Sequence, residues 1–141
     1  MYFKLIFTVI ILVITHLYSW SQNPDTTNFE TFDYMHEGEK YVMQQYFLVF
    51  IKRGENKSAS PEEAKEIQAK HLAYLGGLYE KGYICMNGPF GDDGEIRGAT
   101  IYRVSSADEA LRLAQGDPAV EAGIFTVEAH PWWLARGTGV R

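Results

Sequence analysis

Cysteine is almost missing from this chain: Cys85 is the single thiol in 141 residues, so no intrachain disulfide can form. Only a bridge between two chains stays open. Metal-ligand spacing is missing as well. His36, His71, Cys85 and His130 are scattered, with no C-x-x-C or H-x-x-x-H pattern, and no metal is expected. The glycines of GPFGDDG (88–94) do not follow a strand-to-helix turn, so they make no phosphate cradle, and neither a dinucleotide fingerprint nor a serine nucleophile elbow is present. No cofactor is therefore expected. Basic charge is also short, at 13 Lys and Arg against 18 Asp and Glu, and this argues against nucleic acid or anionic lipid as a partner.

The longest apolar run, Leu5–Ile14, is broken only by Thr8 and is too short to span a bilayer. Behind Lys4 and ahead of the small residues Ser19 and Ser21, it has the form of a signal-peptide core. Residues 1–21 are read as a signal peptide cleaved after Ser21, which makes the protein secreted or periplasmic, with no stable membrane association afterwards. The alternative is a short anchor left uncleaved, against which stands the lack of a longer apolar span or a basic stop-transfer flank. Cleavage removes Lys4 and no acid, moving the net charge from −5 to −6. The mature chain is read as a polar N-terminal extension (22–44), one domain (45–135) and a short tail (136–141). Phe29, Phe32 and Tyr34 give the extension a means of docking on the domain.

The domain opens with YFLVFIK (46–52), apolar on both faces, as in a strand covered on both sides. Ser60, Pro61 and Glu63 form a capping box that starts a helix running to about Lys81. Its inner stripe is Ala64, Ile67, His71, Tyr74, Leu75 and Leu78, at spacings of three and four, and Gly82 stops it. Tyr83–Pro89 and Glu95–Val104 read as a hairpin about the GDDG turn. A second capping box, Ser106 with Glu109, starts a helix ending at Gly116. After the GDPAVEAG turn, Ile124–His130 is the last strand, with Pro131 as its stop. The order βαββαβ predicts an α+β, ferredoxin-like fold with both helices on one sheet face. The first strand is nevertheless apolar on both faces, so a second copy of the sheet is the expected cover for the other one, giving a homodimer. Docking of the N-terminal extension is the competing cover.

At this level of detail the chain resembles the YciI-like (YCII-related) family over residues 45 to 133. The likeness rests on His71 within KHLAYLGGL, on GYICMNGPFGDDGEIRGATIYRV, on the SSADEA helix start, and on GDPAVEAGIFTVEAHPWW. The resemblance implies a dimeric α+β barrel of ferredoxin-like subunits. It also implies a catalytic His and Asp, which by motif are His71 and Asp117, and activity of the kind shown by a family member that dehydrochlorinates a chlorinated hydroquinone. A signal peptide and polar extension depart from the mostly cytoplasmic family.

Each candidate residue also has a plainer reading. His71, on an apolar stripe, is either a core histidine with its hydrogen bonds satisfied or an acid–base group. Asp117, before Pro118, is either a cap of its own turn or the carboxylate that orients His71. His130, in HPWW, either packs the barrel end or lines a pocket; Tyr46, Tyr102 and Arg103 are similarly ambiguous. Cys85, between Ile84 and Met86, is read as an inert core residue. Two functions are open: a cofactor-independent enzyme, a lyase or dehydrochlorinase-like acid–base catalyst on a small cyclic or aromatic molecule, or a non-catalytic small-molecule-binding domain of the periplasm.

Overall fold

The computed structural model describes residues 29–56 and 60–140. The expected signal peptide, residues 1–21, lies outside the described residues. Five strands and three helices succeed one another along the chain: β1 (Thr31–His36), β2 (Glu39–Arg53), α1 (Pro61–Glu80), β3 (Ile84–Pro89), β4 (Ile96–Tyr102), α2 (Ala107–Gln115), α3 (Pro118–Glu121) and β5 (Phe125–Ala135). Strand β2 pairs antiparallel with β4 and β5, and β4 pairs with β3. The sheet order β5-β2-β4-β3 is the ferredoxin-like one, and the fold is α+β. Among the described residues no helix is long and apolar enough to cross a membrane.

Local chemistry sets the helix starts as the sequence predicts. Ser60 accepts from the Glu63 amide at 3.2 Å with Pro61 at the first helical position, and Ser106 accepts from the Glu109 amide at 3.2 Å. Each cap satisfies an amide that the helix leaves without a partner. On α1 only His71, Leu75 and Leu78 are buried, and Ala64 of the predicted stripe is exposed. The first turns of the helix therefore lie outside the core. That core joins Leu75 and Leu78 to Phe47, Val49, Ile84 and Tyr102 of the sheet and to Ala110, Leu113 and Ala114 of α2. Each fully buried side chain of Val or Leu size contributes about 1.5–3 kcal/mol, so a charge at Val49, which has no exposure, is the simplest single change that breaks the fold.

Two expectations are corrected, and the N-terminal extension gains a form. Within it, Thr31–His36 forms a hairpin with the first residues of β2, in register from Thr31↔Gln44 to His36↔Glu39. Glu37 (φ 50°) and Gly38 (φ 82°) make its two-residue turn, whose positive φ values match the strand twist. Met43 and Gln44 pair with both β1 and β5, so the hairpin lies on the edge of β2 opposite β5, in line with β4. Next, Pro131 does not stop the last strand. It pairs with Phe47, and β5 continues to Ala135, because β5 is an edge strand in the single chain and a proline without an amide proton is tolerated there. Finally, Cys85 is not a core residue. It is exposed, because the register steps from Ile84↔Tyr102 to Met86↔Ile101 and leaves Cys85 as the extra residue of a bulge. Although the residue as a whole is exposed, its thiol is half-buried, which pushes the pKa up against a weaker lowering by Arg103.

Candidate active site

His71 and Asp117 lie 46 positions apart in sequence, and the fold brings them into contact. His71 is on the inner stripe of α1 and Asp117 follows the Gly116 cap of α2; both are buried. The His71 Nδ1 is 2.7 Å from Asp117 Oδ2. The other carboxylate oxygen, Oδ1, accepts from the Ala119 amide at 2.8 Å, so Asp117 also caps α3, a single helical turn with Pro118 in its first turn. One carboxylate oxygen of Asp117 therefore caps α3 while the other meets the imidazole. Phe125 presents its ring at 62° to the His71 ring, with centroids 5.9 Å apart. Tyr74 donates to the Leu113 carbonyl at 2.8 Å and ties α1 to α2 beside the pair.

Nearby phenols are held neutral. Burial, and after it the Asp117 charge, raises the Tyr74 pKa; burial, with Tyr74 and then Asp117 contributing less, raises that of Tyr102.

The imidazole borders a cleft of about 220 Å³ between α1 and the β3–β4 hairpin. Its floor and walls are Ile51, Leu72, Leu75, Pro89 and Phe125, and its polar groups are Gln68, His71, Asn87, Arg97 and Thr100. Among the described residues the His71 Nε2 has no hydrogen-bond partner, which leaves that nitrogen available to a ligand. Two bulges shape the cleft. On β4 the pairing steps from Ile51↔Gly98 to Lys52↔Ile96, leaving Arg97 as the extra residue; on β3 the extra residue is Cys85. Without the Cys85 bulge, strand alternation would set Met86 opposite Thr100; with it, Asn87 takes that place.

The other candidates do not line this cleft. His130 is on the opposite sheet face, 2.9 Å from Glu128 and edge-on to Phe50. Burial raises the Tyr46 pKa, Arg103 sits over the Phe29 ring at 5.8 Å, and Tyr102 is core. Asn87, Arg97, Thr100 and Gln68 carried no mark in the sequence; Thr in a strand reads as an ordinary β-former, and nothing in the local pattern announces either bulge.

The YCII-related domain model matches residues 45–132. The chain belongs to the YCII-related domain family. No curated protein matches it. Among solved structures, this YCII-related chain is similar to 5-chloro-2-hydroxyhydroquinone dehydrochlorinase from Burkholderia phenoliruptrix AC1100, in complex with 2,5-dihydroxybenzoquinone. Identity is 29%, the match covers 62% of this chain and 92% of that one, and the TM-score is 0.46.

Proposed function

We propose that this YCII-related protein is a cofactor-independent acid–base catalyst acting on a small cyclic or aromatic molecule, with His71 moving the proton and Asp117 orienting it. The observation that carries the reading is the arrangement at His71: Nδ1 held at 2.7 Å by a carboxylate that is itself pinned by a backbone amide, and Nε2 unbonded at a cleft. In the lyase or dehydrochlorinase-like form of the reaction, Nε2 removes a proton from an acidic C–H or O–H group. The electron pair left behind forms a new double bond, and the leaving group departs with its bonding pair. Asp117 stabilises the imidazolium through the Nδ1–H bond, and the proton passes to water on release of product. The reaction needs no oxidant or reductant.

The working unit is proposed to be a homodimer, forming a dimeric α+β barrel. Tyr46, Leu48 and Phe50 are only half-buried on the sheet face opposite the helices, and Trp132 is 40% exposed. Sedimentation at twice the chain mass supports this, and a monomer at low micromolar concentration refutes it. Export by residues 1–21 is proposed from their sequence, and Gln22 at the mature N-terminus, read by mass spectrometry in the native host, is its test.

The test of the function is a turnover screen against small phenols, quinones and halogenated analogues, beginning with 2,5-dihydroxybenzoquinone as a binding probe and comparing wild type with His71→Gln. Turnover lost in the variant supports catalysis. Specific binding without turnover of any compound gives the non-catalytic binding domain instead.

A further inference from the structure

Thr100 lies at the centre of β4, 1% exposed, between the fully buried Val49 and the core Tyr102. Among the described residues its Oγ1 is buried without a hydrogen-bond partner. A buried hydroxyl without a partner is costly, and valine has the same shape without the cost, so an unpaired threonine here needs an explanation. The position supplies one. Thr100 lines the cleft with His71, and the Cys85 bulge sets Asn87 directly opposite it across the β3–β4 ladder. Ile51, Leu75 and Phe125 supply apolar walls on the same cleft.

We propose that the Thr100 hydroxyl and the Asn87 amide form a polar seat that grips an oxygen atom of the ligand beside the His71 Nε2. The cleft therefore selects compact ligands bearing a hydroxyl or carbonyl oxygen over their deoxygenated counterparts. This rests on the reading of the cleft as the ligand site. The hydroxyl both donates and accepts, and the amide does the same, so the pair binds either kind of oxygen. At about 220 Å³ the cleft is smaller than the roughly 300–1,000 Å³ of sites for drug-sized ligands, which limits the ligand to little more than one ring. Discrimination is strong for a site of this kind, because a ligand without the oxygen leaves the buried Thr100 hydroxyl unpaired.

The experiment compares hydroquinone, kept reduced, with its methyl isostere p-xylene on full-length protein by ligand-observed NMR titration. Wild type is expected to favour hydroquinone by about tenfold or more, the factor for one hydrogen bond to a buried polar group. Thr100→Val and Asn87→Leu should erase the preference, and Thr100→Ser should keep it. Thr100→Val should also melt at or above the wild-type temperature, since it removes a group with no protein partner. A fall in its melting temperature would assign the hydroxyl a structural role and overturn the proposal. Equal preference in wild type and Thr100→Val, or a wild type that favours neither ligand, overturns it too. The two readings fail separately. If His71→Gln loses turnover while Thr100→Val keeps the preference, the seat is wrong and the acid–base reading stands. If Thr100→Val loses the preference while His71→Gln keeps turnover, the reverse holds.

Discussion

His71 and His130 each have a carboxylate within hydrogen-bonding reach, at 2.7 and 2.9 Å, yet the two pairs differ in almost everything that gives such a contact its effect. The His71–Asp117 pair lies between α1 and α3 with side chains 10% and 5% exposed, whereas His130 and Glu128 are 49% and 50% exposed on the opposite face of the sheet. Asp117 is fixed by a backbone amide, while Glu128 is shared with Lys52, whose Nζ is 3.0 Å away. A carboxylate in contact with water exchanges one partner for another at little cost; a buried one has no substitute. Burial and a second, rigid hydrogen bond are what separate a candidate catalytic pair from an ordinary surface ion pair of the same composition.

The sharpest way to break this comparison is to remove each acid. Asp117→Ala should cost about 3–5 kcal/mol, as expected for orphaning a buried partner, and should also weaken the start of α3; chemical denaturation measures it. The near-isosteric His71→Gln and Asp117→Asn should abolish turnover at a cost of only about 1–2 kcal/mol. Retained activity in either folded variant ends the catalytic reading of the pair.

Glu128→Gln should leave turnover unchanged and the melting temperature nearly so. The Lys52 hydrogen bond and charge hold the Glu128 pKa below the usual carboxylate value, with His130 adding less. A depressed folded pKa means that the stabilisation is present above the ordinary carboxylate pKa and fades as pH falls through the lowered one. A melting profile of wild type against Glu128→Gln should therefore diverge slightly near neutral pH and converge in acid. The smallest effect concerns Cys85: with its pKa raised by burial, alkylation by iodoacetamide should be slow at pH 7 and should accelerate only above the pH at which a free thiol does. Rapid labelling at pH 7 would contradict that.

The residues visible in the sequence were those whose structure is decided locally. Ser60 and Ser106 cap within four residues of themselves, and the β2 run from Tyr46 to Ile51 is apolar at every other position whichever face is counted. The His71 position followed from helix spacing and Asp117 from a family motif, and their contact required only the βαββαβ order. What escaped depended on partners distant in sequence. The Glu37–Gly38 turn lacks the usual Asn-Gly or Asp-Gly signature, so the local sequence does not announce the hairpin it closes. Pro131 is tolerated because of which edge β5 occupies, and the exposure of Cys85 and the inward place of Asn87 both come from a register step that single-strand alternation cannot foresee.

Strand β2 runs unbroken for 15 residues from the hairpin turn to Arg53, about 50 Å of extended chain at roughly 3.3 Å per residue. The family match begins at residue 45, inside that strand, so the added hairpin is grafted onto the sheet without a linker. A linker would isolate the two parts mechanically; a shared strand makes them one beam. The backbone that leaves the Glu37–Gly38 turn is thus the same strand that carries Ile51 into the floor of the cleft, with no irregular segment in between.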